Sequence, residues 1–113
     1  MITFQESTTD GFLRYDLTGR LDSAGVEQIE GALTGRLRDA KQNVLIDLGK
    51  VPFVGSLGIR MLIAAARTLQ RAGHNLVLVG VQPQVADVFE TVALSDLIPI
   101  AGNTEEAVQK LGG

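Results

Sequence analysis

Ser56 lies between two glycines in FVGSLGI, residues 53 to 59, where an apolar run gives way to a helix-like apolar pattern. A small hydroxyl residue at such a junction could act as a nucleophile, belong to a phosphate cradle, accept a regulatory phosphate or cap a helix. A hydrolase nucleophile on a strand-to-helix elbow needs glycines two before and two after it. Here Gly58 fits, but the leading glycine, Gly55, is adjacent. The base is also missing, because the only histidine, His74, follows a helix of about sixteen residues whose ends lie about 24 Å apart. A nucleotide-hydrolase loop needs two glycines five apart followed by Lys and Ser or Thr, and a dinucleotide fingerprint needs three glycines at fixed offsets. KVPFVGSLG supplies neither. A phosphoacceptor role for Asp47 would require an acidic partner cluster for Mg²⁺ and a nearby lysine, and neither is evident. Asp16, Asp22 and Asp47 have no spacing that makes a carboxylate pair, so they read as solvated or capping residues. His74 lacks a second histidine and reads as a turn residue. Catalytic and metal-binding residues are therefore expected to be absent.

Two readings of Ser56 stay open. Its side chain can cap the helix by accepting from a backbone N–H two or three residues on. The same N-terminus favours an anion, so the position also suits a phosphoserine, which would change a docking surface without unfolding it.

The elements that position this serine follow from periodicity. ITFQES and FLRYDLTG read as two strands around a turn at Asp10-Gly11. Val26, Ile29, Leu33 and Leu37 share one helical face, with Asp22 or Ser23 as N-cap. NVLIDL and NLVLVGV are nearly continuous apolar runs, as expected of central parallel strands. They flank a helix from about Ser56 to Arg71, ended by Ala72-Gly73. Val85, Val88, Phe89 and Val92 mark a shorter helix after Pro83, LIPI reads as a short edge strand limited by Pro99, and Asn103 to Glu106 starts a last helix docked through Ala107, Val108 and Leu111.

On the central helix, Ile59, Leu62, Ile63, Ala66 and Leu69 form the expected core stripe. Leu57, Met61 and Ala64 form a second apolar line. Either the helix is deeply buried, or this line is partly exposed beside Ser56 as the seam of a partner site, rimmed by Arg60 and Arg67.

Composition narrows the function. A chain of 113 residues is the size of one domain, and its 45% hydrophobic but only 4% aromatic content suits an aliphatic α/β core. Cysteine is absent, which fits a reducing compartment, and the cytoplasm is expected. The start, MITFQESTTD, shows neither a signal peptide nor an anchor, and LGIRMLIAAA is too short to cross a bilayer. With a net charge of −3 and no basic run, neither nucleic-acid binding nor membrane insertion is expected.

The stretch from VLIDLGKVPFVGSLGI to ALSDLIPI, with LTGRLDSAGVEQIE upstream, resembles the STAS domain of bacterial anti-sigma factor antagonists and of related domains in transport systems. Asp47, Leu48, Phe53, Ser56, Gly58 and Ile59 match that family's pattern around its switch serine. The resemblance implies that residues 1–113 form one STAS domain: an α/β fold with a five-stranded mixed sheet, first strand antiparallel and the rest mainly parallel, and four helices mostly on one face. It implies a non-enzymatic, cofactor-free bacterial signalling module acting in transcription regulation. In that scheme a GHKL-type serine kinase with anti-sigma activity phosphorylates Ser56, unmodified protein binds the anti-sigma factor, and a phosphatase resets the switch. Gly55, Ser56, Leu57, Gly58, Arg60, Met61 and Ala64 are the expected partner-binding residues. Three positions depart from the pattern: Gly55 replaces an aspartate, Leu57 a serine or small residue, and Ala93 a glycine. The alternative is a STAS subunit of an ABC-type membrane transport assembly that binds without phosphorylation. A small-molecule or nucleotide binder using the loop after the central strand ranks last, because that loop offers little polar recognition.

Overall fold

The computed structural model describes residues 1–111. It contains five strands, β1 (Thr3–Thr9), β2 (Phe12–Thr18), β3 (Val44–Lys50), β4 (Leu76–Val79) and β5 (Ile100–Ala101), and four α-helices, α1 (Ser23–Arg38), α2 (Ser56–Arg71), α3 (Pro83–Thr91) and α4 (Thr104–Leu111). The strands form one sheet in the order β1-β2-β3-β4-β5. β1 pairs antiparallel with β2, and every later pairing is parallel. The expected mixed sheet with four helices is the observed fold.

The hairpin forms where the sequence places it because Asp10 and Gly11 both take positive φ, 49° and 85°, which matches the twist of the flanking strands. Alternation along β2, β3 and β4 then sorts side chains between two faces. Tyr15, Leu17, Val44, Ile46, Leu48, Leu76 and Leu78 meet α1, α2 and α3 in the main core. Phe12, Leu45, Val77, Val79 and Ala101 meet α4 through Ala107, with Val108 and Leu111 alongside. Glu6 of β1 ties the hairpin to α1: the Tyr15 hydroxyl donates to Glu6 Oε1 at 2.8 Å, and Arg36 donates to the same oxygen at 2.9 Å. Those two bonds, the Tyr15 bond first, hold the Glu6 carboxyl below its ordinary range. Burial and the Glu6 contact push the Tyr15 phenol above its own.

Two local expectations are corrected. The short last edge strand expected at LIPI forms, but later: a 3₁₀ turn occupies Leu94–Asp96, the Ile98 N–H is taken by the Leu94 carbonyl, and pairing with β4 runs over Ile100 and Ala101. On α3 only Val85 and Phe89 are buried, while Val88 and Val92 face outward, because a nine-residue helix over the sheet margin contacts it along one narrow line. Ala93, where the STAS pattern favours glycine, sits in the left-handed region at φ 53°. An alanine there costs about 1 kcal/mol relative to a right-handed conformation.

Candidate functional site

Ser56 is carried to the surface by a loop held almost entirely through backbone. After β3, Val51 and Val54 are buried, and Val54 makes an isolated parallel bridge to Leu21 in the turn before α1. The Leu21 N–H donates to the Phe53 carbonyl at 2.9 Å, and the Gly55 N–H donates to the Leu21 carbonyl at 3.0 Å. Gly58 lets the first turn of α2 come down on that segment, since a Cβ there would lie 2.7 Å from the Leu21 carbonyl oxygen. With Val54 and Gly58 pinned inward, Phe53, Ser56 and Leu57 project outward. Phe53 is 38% and Leu57 42% exposed, and the Arg20 guanidinium stacks 4.3 Å from the Phe53 ring centroid.

Ser56 does not cap α2. The N-cap is Gly55, with extended backbone and no side chain, and Ser56 stands one position inside as the first helical residue. Its hydroxyl has no hydrogen-bond partner among the described residues, and neither have the N–H groups of Ser56, Leu57 and Gly58. The contrast lies in the same molecule: Asp22 Oδ1 accepts from the Gly25 N–H at 2.8 Å to open α1, which holds the Asp22 carboxyl below its ordinary range. Asn103 Oδ1 accepts from Glu106 at 2.9 Å to open α4. The STAS pattern's aspartate at position 55 would place an acceptor where this chain has none.

The expected partner surface divides on inspection. Ser56, Leu57, Arg60 and Ala64 are exposed and Gly55 is half-buried, so these five line one outward strip. Met61 is only 3% exposed and packs in the main core, and Gly58 is buried under Leu21, so neither presents a contact surface. The reason is a rotation of the helix about its axis. The buried stripe is Gly58, Met61, Leu62, Ala65, Ala66 and Leu69, whereas Ile59 and Ile63, expected at its centre, are half-buried at its margin. The backbone contact at Gly58 fixes that rotation, and periodicity on an Ala-rich helix leaves it open.

A second polar cluster escaped the sequence reading. Asp16 and Asp47 are direct partners in the parallel register of β2 and β3, so the two carboxylates stand side by side on the α4 face. Arg14 lies between them. Its Nε donates to Asp16 Oδ2 at 3.1 Å, its Nη2 bridges to Asp47, and its Nη1 donates to the Thr104 hydroxyl at 3.0 Å. The remaining Asp47 oxygen accepts from the Gly49 N–H at 2.7 Å. The Asp16 contacts raise the Arg14 pKa above its ordinary value. These groups floor a concavity of about 690 Å³ that also meets Thr3, Gln5 and Lys50. Both carboxylates share the one Arg14 guanidinium, so the cluster joins β2, β3 and α4 through a single cation. The signal was in the sequence as two aspartates near the ends of adjacent strands, but only register shows that they meet. His74 follows α2 at the end opposite Ser56, where its N–H donates to the Leu69 carbonyl. Among the described residues no cluster of His, Cys, Asp and Glu could hold a metal.

Comparison with known proteins agrees with this geometry. The BtrV protein of Bordetella bronchiseptica, which bears the name of an anti-sigma factor antagonist, is 33% identical over 98 residues, covering 87% of this chain and 84% of its own. An anti-sigma factor antagonist from Mycobacterium paratuberculosis shares the fold with a TM-score of 0.87 at 22% identity, covering 100% of this chain and 96% of its own. The Bacillus cell fate determinant SpoIIAA in its phosphorylated form superposes with a TM-score of 0.67 at 24% identity over 96% of this chain and 98% of its own. The STAS domain model matches residues 3–107, spanning all five strands and the start of α4, and the chain belongs to the STAS domain family of regulatory, non-enzymatic modules.

Proposed function

We propose that this chain is a cytoplasmic anti-sigma factor antagonist that binds its anti-sigma factor through the outward strip of α2 and is released by phosphorylation of Ser56. One observation carries the reading: a serine hydroxyl without a partner stands at a helix N-terminus whose N–H groups are also unpartnered, beside exposed Leu57 and Phe53. Apolar side chains around an unpaired polar centre suit protein docking. A phosphate added at Ser56 would be welcomed by the helix N-terminus yet would put nearly two negative charges into the middle of that docking surface. In the transfer, Ser56 Oγ attacks the γ-phosphorus of ATP held by the partner kinase, the bond to the bridging oxygen breaks, ADP leaves and the hydroxyl proton passes to the kinase. A phosphatase would reverse the modification. The support for the partner class is the names of the relatives, BtrV among them, and SpoIIAA is described in a phosphorylated form.

The test combines the chain with the GHKL-type kinase from the same source and ATP. Mass spectrometry is expected to place phosphate on Ser56, and the phosphorylated chain is expected to lose binding in calorimetry. Absence of phosphate on Ser56 would refute the switch, and failure to bind the kinase together with binding to the ATPase subunit of an ABC-type transporter would favour the transport-assembly alternative, for which Gly55 and Leu57 at the switch speak.

A further inference from the structure

We infer that the outward stripe of α2 is a cationic seam that docks an acidic helical segment of a protein partner. This rests on the reading of α2 as the docking helix and gives the partner surface a chemistry. Leu57, Arg60, Ala64, Arg67 and Arg71 are all exposed and follow one another at spacings of three, four, three and four residues. That spacing keeps them on one line for about 21 Å of helix. Arg38 of α1 joins the far end, where it lines a groove of about 460 Å³ with Thr68 and Arg71. A second hollow of about 220 Å³ lies between Arg60, Ile63, Ala64, Arg67 and Arg71.

None of these four arginines forms an ion pair or a side-chain hydrogen bond among the described residues, whereas Arg14, Arg20 and Arg36 each have a carboxylate. α2 contains no acidic residue at all. Glu27 and Glu30 of α1 pair with none of the four. A chain of net charge −3 thus concentrates four unneutralised guanidinium groups on one helix-and-groove surface. Arginine is the cation best suited to a bidentate hold on carboxylates, and Leu57, Ala64 and half-buried Ile63 supply apolar steps between the charges.

The chemistry of the occupant follows. The three-four spacing is the pattern by which one helix receives another, so an amphipathic helix with carboxylates flanking an apolar line fits it. A nucleic-acid duplex would leave the apolar steps unused, and the exposed apolar residues on this face, Leu57 and Ala64, are too few to bury in a bilayer. Arg60 lies four residues after Ser56, within reach of a phosphate there. Modification would therefore withdraw the first cation of the seam from the partner.

The experiment titrates the isotope-labelled full chain with a synthetic amphipathic helical peptide carrying glutamates beside a leucine line, and follows backbone amide resonances. Shifts are expected along residues 57–71 and at Arg38, weakening as salt is raised. Arg60→Ala with Arg67→Ala is expected to weaken the peptide about tenfold at unchanged melting temperature. Lys50→Ala with Lys110→Ala, which changes net charge equally, is expected to have no effect. Absent shifts, shifts confined to other surfaces, equal weakening by both double variants, or tighter binding of a DNA duplex or of phosphatidylglycerol vesicles would overturn the seam. The peptide measurement is independent of sigma-factor control. A responsive seam with no anti-sigma binding would sink only the proposed function, and anti-sigma binding with a silent seam would sink only this inference.

Discussion

Arginine does opposite work on the two faces of this molecule. On the α4 face, Arg14 is enclosed by Asp16, Asp47 and Thr104, and its donors are spent on joining two strands to a helix. On the α2 face, Arg60, Arg67 and Arg71 have no carboxylate on their own helix and no ion pair. The serine between the glycines shares that second condition, since neither its hydroxyl nor the N–H groups around it have partners. A polar group already paired inside the fold contributes to architecture and has little left to offer a ligand. A polar group left exposed and unpaired on a rigid helix costs the fold little, because water serves it, and remains available for binding.

This contrast can be broken at several points. Met61 marks where the α2 face ends and the core begins. Met61→Ala should destabilise the chain by about 2–5 kcal/mol in denaturant unfolding, because it opens a cavity against the main core. A loss under about 1 kcal/mol, comparable with an exposed position, would restore Met61 to the docking surface. Arg14→Ala tests the paired face. It leaves two adjacent half-buried carboxylates without their cation and should cost about 2 kcal/mol, with hydrogen exchange rising first in α4. No change would mean that the cluster is solvated decoration.

Acid should separate the faces more gently. Glu6 and Asp22 have carboxyl groups held below their ordinary values of 4.5 and 3.8, by the Tyr15 hydroxyl and the Gly25 N–H respectively. A depressed carboxylate contributes stability that is full above its unfolded value and is lost as pH falls through its folded value. Melting temperature should therefore hold on going down to about pH 5 and decline below about pH 4. Glu6→Gln should shallow that decline, and an unchanged acid slope would remove Glu6 from the account. The smallest expected effect is at the centre of the site. Ser56→Ala should change stability by less than about 0.5 kcal/mol, where loss of a capping serine would cost about 1 kcal/mol. The larger loss would show that Ser56 caps α2 in solution.

Much of the fold was legible because its signals are local. Asp10-Gly11 announces a turn through backbone sterics, apolar runs announce covered strands, and Asp22 and Asn103 announce helix starts through side chains that reach their own backbone. The misreadings arose where two elements meet. Ser56 looked like a cap because serine at a strand-to-helix junction usually is one, but α2 already includes Ser56 as its first residue, and the cap position falls on Gly55, which the Leu21 carbonyl anchors. The last strand starts at the end of LIPI because the Leu97 and Ile98 N–H groups are taken by the Leu94 carbonyl. Asp16 and Asp47, thirty-one positions apart in sequence, looked unrelated until parallel register made them neighbours.

By itself the sequence determined the element types and the mixed-sheet class, since periodicity and turn chemistry are properties of short stretches of chain. The tertiary structure alone decided which way α2 is rotated, and with it which residues face outward. On an Ala-rich helix several faces are nearly equally apolar, so the rotation is set by one close approach, Gly58 against the Leu21 carbonyl, which no periodicity encodes.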